Sequence, residues 1–469
     1  MSPMKASIYN FAVPKADDAW LLFNARTGKM LNLDGPKISS LVKNLMGSEE
    51  AEEVEIDRES LELLTRGQFV VDDTFDELAA IRSVFWSARN DAPVVITITT
   101  TLDCNLGCFY CYEERSGDSL GEHDIPSILR NASDLLLNSG KRKLHVDWYG
   151  GEPTLNLPFL EATSSQIQSL CASLGVTYSA SIISNGTAWP RDVRDFIKRH
   201  RIRQVQITFD GMKKTHDQRR RFTRKSDLGR SSFEEASSLI SELVNECRVD
   251  LRYNMDNRNK SEFISFVEFA VQQGWFAAKH RATLQPARVA AYTEKSRFVD
   301  RIGIPIGEFE ALKKRAVPLL PMGTMEEPET ISGYATPKTS VCAALSKNAI
   351  VVGADQRTYR CGLQVSEPHR AVGNLNSSPF QILSNQDAPS DDLWWDGFDP
   401  TTLASCSACS FLPICLGGCP KKQLERDQEA LDAQSIYWRD NLARLICKTA
   451  NIPEIPFRFG EQEQFRQAG

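Results

Sequence analysis

The sequence predicts an α/β protein built around a partial, TIM-like (β/α)6 barrel with parallel strands. Two observations predict this fold: six short apolar runs recur between residues 93 and 290, and helical stretches separate them. Repeated βα units build a parallel sheet covered by helices, and six units are too few for an eight-stranded barrel. The predicted strands are 94–100, 144–150, 178–185, 204–209, 249–254 and 282–289, and the predicted helices lie near 124–139, 157–173, 190–200, 231–246 and 259–273.

Regions of different character flank the predicted barrel. Residues 1–90 contain two short strands around a turn at 26–29, two amphipathic helices, a third short strand and a connecting helix. This pattern predicts a winged-helix-like module. Residues 318–340 are rich in Pro, Gly, Ser and Thr, as is typical of a bridging loop. We therefore predict a module at 1–90, the barrel at 91–290, a bridging region at 291–340 and a cysteine-rich domain at 341–469.

Composition excludes several classes of function. The 469 residues are 41% hydrophobic and carry a net charge of −6 without a basic block, so we expect no nucleic-acid partner. No apolar run approaches the roughly 18 residues that span a bilayer, so no membrane association is expected. The first residues lack the apolar core of a signal peptide. We therefore expect a cytoplasmic protein.

Twelve cysteines are unusual for a cytoplasmic chain of this length. Disulfides are disfavoured in a reducing compartment, so clustered cysteines there indicate metal ligands or catalytic thiols. Ten of the twelve fall into two groups, at 104–111 and 342–447. Cys171 and Cys247 stand alone on helical patterns and are predicted to be small buried hydrophobic residues.

The first group, Cys104, Cys108 and Cys111, follows the first predicted strand directly, at the sheet edge where barrel proteins place their function. Three thiolates cap three irons of a cubane and leave the fourth open to an exchangeable ligand. A three-cysteine zinc site is the alternative. The next three strands also end in polar or glycine-rich segments, namely "YGGEP" (149–153), "ISNGT" (183–187) and "TFDG" (208–211).

These motifs resemble those of the radical S-adenosylmethionine (radical SAM) superfamily. Cys104, Cys108 and Cys111 fit its cluster motif, and Tyr110 fits the aromatic residue before the last ligand. The resemblance implies that a reduced [4Fe–4S] cluster splits S-adenosylmethionine into methionine and a 5′-deoxyadenosyl radical, which removes a hydrogen atom from substrate. It also implies contacts with S-adenosylmethionine from Gly150, Gly151, Glu152, Pro153, Ser184, Asn185 and Asp210.

The second cysteine group contains a Cys-x2-Cys pair that, taken alone, is typical of structural zinc. In full order it resembles the SPASM extension of peptide- and protein-modifying radical SAM enzymes, which holds two auxiliary [4Fe–4S] clusters. The group has seven cysteines, one fewer than two all-cysteine cubanes need, so one iron is expected to take another ligand, water or substrate. The resemblance implies one cluster on Cys406, Cys409, Cys415 and Cys447, and another on Cys342, Cys361 and Cys419.

Residues 1–90 resemble the peptide-recognition domain (RRE) of enzymes that mature ribosomally synthesised, post-translationally modified peptides (RiPPs). Such domains bind a leader peptide as an added strand. The combined resemblance implies a radical SAM/SPASM maturase that cross-links side chains of a precursor peptide through a thioether, C–C or C–O bond. Its electrons would come from a reducing partner such as flavodoxin or ferredoxin. The alternatives are an anaerobic sulfatase-maturing (formylglycine-generating) enzyme and, more remotely, a non-enzymatic zinc scaffold.

No catalytic acid or base is assigned from the sequence. His216 and Asp217 fall in a predicted loop after the fourth strand, where His216 is a candidate for deprotonating substrate or a structural residue. The basic run 219–221 either faces solvent or contacts the carboxylate of the ligand.

Overall fold

The computed structural model describes residues 3–16, 19–35, 38–47, 56–227, 229–280, 282–325, 334–380 and 392–460. Its strands are β1 (Met4–Ala6), β2 (Asn10–Ala16), β3 (Ala19–Asn24), β4 (Met30–Asp34), β5 (Val70–Asp72), β6 (Val94–Thr101), β7 (Lys143–Gly150), β8 (Thr177–Ser184), β9 (Ile202–Phe209), β10 (Arg248–Met255), β11 (Ala282–Arg288), β12 (Ala349–Val352), β13 (Arg357–Tyr359) and β14 (Gly373–Asn374).

The described chain also forms fifteen α-helices. They are α1 (Ile38–Leu45), α2 (Arg58–Gly67), α3 (Glu77–Asp91), α4 (Ile125–Ser139), α5 (Leu157–Ser173), α6 (Val193–Arg199), α7 (Lys213–Arg219), α8 (Ser232–Leu243), α9 (Phe263–Gln272), α10 (Ile306–Ala316), α11 (Asp392–Gly397), α12 (Ala404–Ser407), α13 (Leu412–Cys415), α14 (Pro420–Glu425) and α15 (Gln428–Thr449). In the described residues, no helix has the length and apolar character needed to cross a bilayer.

One compact unit, residues 92–326 and 347–392, contains the central sheet. Its strand order is β11-β10-β9-β8-β7-β6-β12-β13-β14, and β6 to β11 run parallel. The six predicted barrel strands are confirmed, each to within two residues at either end. Because β11 lies at an edge of the sheet, the barrel is partial, as predicted.

The two faces of this sheet differ in chemistry. The outer face is apolar, with Ile96, Val146 and Ile207 fully buried in the main core under helices α4, α5, α8 and α9. Alternate residues such as Asp147 and Gln206 point to the inner face, which is polar and only partly buried. The inner face therefore remains available for a ligand.

Strand β12 extends the barrel sheet beyond its first strand. It pairs in parallel with β6, and β13 and β14 follow in antiparallel register. The sequence did not predict this extension, because strands of two to four residues are too short to show a periodic pattern.

The other compact unit comprises residues 1–91, 327–346 and 393–469. Strands β2, β3 and β4 form an antiparallel sheet, and β1 pairs with β5. Helices α1 and α2 pack on the three-stranded sheet through a core that includes Leu22, Leu41, Leu64 and Phe69. The predicted turn at 26–29 does connect two strands, whereas β1 and β2 were not predicted.

Within this unit, the first 91 residues share a core with the C-terminal segment. The ring of Phe11 on β2 lies 4.8 Å from Phe411 and 5.1 Å from Phe459 between centroids. The buried guanidinium of Arg89 donates to the backbone carbonyls of Leu345, Trp395, Asp396 and Phe398 at 2.9–3.0 Å. The N-terminal module and the cysteine-rich segment therefore form a single folded body.

Candidate functional site

A cavity of about 620 Å³ lies on the inner face of the barrel sheet. It is bordered by the loop after β6, the end of β7 and the inner faces of β8, β9 and β10. The predicted site residues that line it are Cys104, Cys108, Cys111, Tyr110, Gly150, Gly151, Ser184, Asn185 and Cys361. Glu152, Pro153 and Asp210 are not among its lining residues.

The three-cysteine loop is held in place by backbone contacts. Gly107 N donates to Arg221 O at 2.7 Å, and Cys111 N donates to Cys108 O at 3.3 Å. The Cys104 Sγ atom accepts from Leu106 N at 3.5 Å. Burial raises the pKa of both Cys104 and Cys111 to about 12. The thiols are therefore protonated until a bound metal centre compensates the thiolate charge.

The donor set of this loop fits a cluster better than a single ion. A zinc ion requires its thiolates to converge at about 2.3 Å from one point, whereas a cubane takes one thiolate per iron. Cys104, Cys108 and Cys111 supply one thiolate for each of three irons, so the chemistry of the residues present fits a [4Fe–4S] cluster.

Gly150 and Gly151 bring the end of β7 against the cysteine loop. A Cβ atom at Gly150 would lie 2.2 Å from Thr101 O, and one at Gly151 would lie 2.4 Å from Asp103 O. Gly150 also has a φ of +132°, which L side chains rarely adopt. Only glycine fits here, and the exposed backbone groups border the cavity.

Glu152 joins the ends of two strands from behind the cavity wall. Its buried carboxylate accepts from Thr154 Oγ1 at 2.6 Å, from Ser184 Oγ at 2.9 Å and from Asn185 N at 2.6 Å. Burial raises the pKa of Glu152, and these donors oppose the shift. The residue therefore positions the β8 end, which carries two of the predicted ligand contacts.

Asn185 connects that strand end to the cysteine loop. Its Nδ2 atom donates to Asn105 Oδ1 at 2.8 Å and lies 3.6 Å from Cys104 Sγ. Its Oδ1 atom accepts from Thr187 N at 2.9 Å. Loop and strand end are thus held together by side-chain hydrogen bonds.

Tyr110 is the centre of a buried polar network. Its hydroxyl donates to Asp210 Oδ1 at 2.7 Å and accepts from Arg220 NH1 at 2.8 Å and Asn254 Nδ2 at 3.2 Å. Arg219 donates to the other oxygen of Asp210 at 3.2 Å. Asp210 is fully buried, so it supports the cavity wall and the arginine that borders it.

The loop predicted around His216 is wrong, because residues 213–219 form helix α7. His216 is fully buried against the rings of Phe209 and Phe233, and this burial lowers its pKa well below the usual value. Asp217 caps the start of α8 by accepting from Phe233 N at 2.9 Å. Neither residue is among those that line the cavity. Of the basic run, Arg219 and Arg220 are buried and only Arg221 is exposed.

Several lining residues were missed from the sequence, among them Tyr112, Glu113, Tyr149, Arg252 and Asn254. The sequence of β10 did contain a signal for Arg252 and Asn254. Parallel strands covered on both faces are continuously apolar, whereas "RVDLRYN" alternates polar and apolar residues. Such alternation indicates a strand with one polar face, and here that face borders the cavity.

The cysteines of the second group lie in both units. Cys361 borders the barrel cavity, and the other six lie in the unit that contains the N-terminal module. Between Cys415 and Cys419, residues 416–418 all have positive φ angles of 52°, 77° and 76°, which reverses the chain. Burial and the nearby Cys419 thiol raise the pKa of Cys342, so these two cysteines are neighbours. Cys171 and Cys247 are buried, as predicted.

The sequence of this chain is similar to those of known proteins. Residues 98–270 match the radical SAM superfamily. The chain is 24% identical over 337 residues to a serine-type anaerobic sulfatase-maturating enzyme of Klebsiella pneumoniae, covering 68% of this chain and 79% of the relative. It is 22% identical over 342 residues to the mycofactocin maturase MftC of Mycolicibacterium smegmatis, covering 70% and 78%.

A solved structure shares the fold. Native anSMEcpe with bound AdoMet and the Cp18Cys peptide aligns with a TM-score of 0.55 at 18% identity, covering 77% of this chain and all of that chain. The likeness confirms the predicted α/β fold class.

Proposed function

We propose that this chain, whose residues 98–270 form a radical SAM domain, is a maturase that cross-links side chains of a ribosomally made precursor peptide. The observation that supports it most is the convergence of the three-cysteine loop, the Gly150–Gly151 pair and the β8 end on one cavity. When bound, the reduced [4Fe–4S] cluster and S-adenosylmethionine supply a 5′-deoxyadenosyl radical that takes a hydrogen atom from the peptide.

The residues of this chain bind and orient the two cofactors. Cys104, Cys108 and Cys111 would hold the cluster. The open backbone at Gly150 and Gly151 would accept hydrogen bonds from the amine of S-adenosylmethionine, and Asn185 and Arg220 border the same space. Tyr110, Asp210 and Glu152 keep these groups in place through the buried networks described above.

The radical SAM assignment is tested by measuring 5′-deoxyadenosine. Protein reconstituted with iron and sulfide without oxygen, then reduced, should release 5′-deoxyadenosine from S-adenosylmethionine, and Cys104→Ala, Cys108→Ala or Cys111→Ala should abolish the release. Cys171→Ala is the matched control, because this thiol is buried in the apolar core. Release by the three loop variants at the control rate would refute the assignment.

The type of modification is tested by co-expressing the protein with each short open reading frame found beside its gene. Co-expression should give a peptide that has lost a pair of hydrogen atoms and does not react with a hydrazide. An aldehyde product reacts with the hydrazide: when it is formed from serine it has the same mass as the cross-linked peptide, and when it is formed from cysteine it has also exchanged its sulfur for oxygen. That result would replace cross-linking by formylglycine formation, the alternative that the sequence resemblance implies.

The N-terminal sheet offers an edge for the leader of such a peptide. Asn24 N donates to Lys29 O at 3.0 Å, and from this pair onward hydrogen-bonded and non-hydrogen-bonded residue pairs alternate along β3 and β4. The backbone groups of Met30 and Asn32 therefore point away from β3. In the described residues β4 pairs with β3 alone, so its outer edge suits an added peptide strand.

This edge is tested by comparing two substitutions at Asn32. Asn32→Pro removes an outward N–H without breaking the β3–β4 ladder, so it should weaken binding of the neighbouring-gene peptide about tenfold. Asn32→Ala keeps the N–H and should bind normally. Equal binding by both variants would exclude this edge as the leader site.

A further inference from the structure

Arg252 presents a cation to the cavity on the inner face of β10. Its Nε atom donates to Asn254 Oδ1 at 3.0 Å, and Asn254 in turn donates to the Tyr110 hydroxyl. One edge of the guanidinium is therefore held in place. The two terminal nitrogens have no hydrogen-bond or ion-pair partner in the described portion of the chain.

The side chains directly beside Arg252 in the sheet are uncharged. Its neighbours in register are Thr208 on β9 and Gln285 on β11. Asp250, two residues earlier on the same face, is paired with Arg248 at 2.9 Å and accepts from Gln204. The guanidinium is half-buried and so loses part of its hydration, and no neighbouring anion in the described strands compensates for that loss. A bound anion would do so.

The remaining charges around the cavity are either engaged or cationic. Asp147 accepts from His145 at 3.1 Å and from Ser181, and Arg220 is already 3.7 Å from Asp210. The ionisable lining residues besides the cysteines and tyrosines are Arg115, Arg220, Arg252 and Arg288 against Glu113 and Asp147. With the Arg220–Asp210 pair set aside, three arginines face two carboxylates in this lining, so the cavity offers cations to an anionic group of a guest.

The backbone of Arg252 lies two residues before Asn254 on β10, about 7 Å further from the C-terminal end of the strand, and only its Nε atom is engaged by the Asn254 side chain that contacts Tyr110. We propose that Arg252 binds a carboxylate of the peptide substrate and selects an acidic residue, or the peptide C-terminus, beside the modified position. This inference rests on the proposed peptide-modifying function.

The chemistry of arginine suits this role. Its planar guanidinium binds a carboxylate through two parallel N–H···O bonds, and such charged pairs are stronger than neutral ones. Loss of one charged bond of this kind in a binding site corresponds to a roughly tenfold or greater loss of affinity. Arg252 is thus a specificity-determining residue.

The test uses a library of short randomised peptides displayed as mRNA fusions, with both free and amidated C-termini. The library is selected on full-length, cluster-reconstituted protein with S-adenosylmethionine and no reductant, so that binding occurs without turnover. Wild type should enrich Asp or Glu at one position, or free over amidated C-termini, about tenfold. The two patterns distinguish a side-chain carboxylate from a terminal one.

Three substitutions of Arg252 test whether its charge sets the peptide preference. Arg252→Gln should lose the acidic preference, Arg252→Lys should keep part of it, and Arg252→Glu should enrich Lys or Arg instead. Iron content and melting temperature of each variant should match wild type. The inference would be overturned if wild type enriched peptides without an acidic preference, or if Arg252→Glu kept the preference of wild type. Either result would still show that the protein binds peptides.

Two other outcomes are also decisive. If Arg252→Gln weakens binding of S-adenosylmethionine tenfold while the acidic preference persists, Arg252 holds the cofactor carboxylate and the inference is overturned. If no peptide is enriched on wild type, the inference is overturned, whereas the proposed peptide-modifying function is judged separately by the mass of the co-expressed peptide.

Discussion

Gly151→Ala should impair the cofactor site without removing any ligand. The new Cβ atom would lie 2.4 Å from Asp103 O and 2.7 Å from Leu102 O, and real Cβ contacts are essentially never shorter than 3.0 Å. Both oxygens belong to backbone, so no side chain can rotate away. The end of β7 must therefore separate from the segment that leads into Cys104.

The magnitude follows from the bonds across this contact. Gly151 N donates to Thr101 O at 3.0 Å, and Glu152 N donates to Asp103 O at 2.9 Å. Weakening both costs about 1 kcal/mol each, and overpacking adds about 1–3 kcal/mol, so we expect a loss of about 3–5 kcal/mol. Because a displacement near 1 Å in a reacting geometry lowers rates about 100-fold, 5′-deoxyadenosine release should fall by at least tenfold.

The assay measures iron per chain, the rate of 5′-deoxyadenosine release and the unfolding free energy of the same preparations. Gly307→Ala is the matched control, because Gly307 lies in α10 without a positive φ, and a Cβ atom added there would meet nothing within 4 Å. This control should be neutral or about 1 kcal/mol more stable. Wild-type iron content, rate and stability in Gly151→Ala would refute the close-contact argument.

Three further predictions concern stability and the second cysteine group. Arg89→Met removes a buried cation from four carbonyls and should lower the free energy of unfolding in denaturant by about 3–5 kcal/mol. The exposed Arg58→Met is the control and should lower it by less than about 1 kcal/mol. Equal losses in the two variants would show that the hydrogen bonds of Arg89 to these carbonyls do not stabilise the fold. Burial holds the folded-state pKa of His216 well below its unfolded value near 6.5. Below about pH 6.5 the unfolded chain therefore binds a proton that the folded chain does not, and the free energy of unfolding should fall by up to about 1.4 kcal/mol per pH unit. His216→Phe should remove this part of the decline. An identical pH slope in that variant would show that His216 titrates normally. Cys415→Ala should lower the iron content and stop peptide modification while S-adenosylmethionine cleavage continues; full modification would make that cysteine dispensable.

Much of the barrel was predictable from sequence because its information is local. The strands β6 to β11 are seven or eight residues long and carry apolar residues in runs or in alternation, and a predicted helix follows each of the first five. Cys104, Cys108 and Cys111 lie within eight positions directly after such a strand. Their meeting with Gly150, Gly151, Ser184 and Asn185 followed from the rule that parallel strands end at one edge.

Other site residues could not be assigned, because their roles depend on contacts between distant segments. Asp210 follows a strand end like the cavity-lining residues, yet Tyr110 and Arg219 draw it into a buried network. His216 belongs to a polar segment, but its helix turns it between two aromatic rings. Side-chain direction at a strand end depends on the neighbours that pack there.

The sequence by itself determined the parallel barrel, the three-cysteine loop and the set of strand ends that face it, because hydrophobic periodicity and chain order specify them within a few dozen residues. Only the tertiary structure decided that the first 91 residues fold with the C-terminal cysteine segment, and that β12 joins the barrel sheet. It also decided that Arg252 points its guanidinium into the cavity with no anion beside it among the described residues. Those outcomes rest on packing and charge pairing between segments up to several hundred residues apart, which no local pattern encodes.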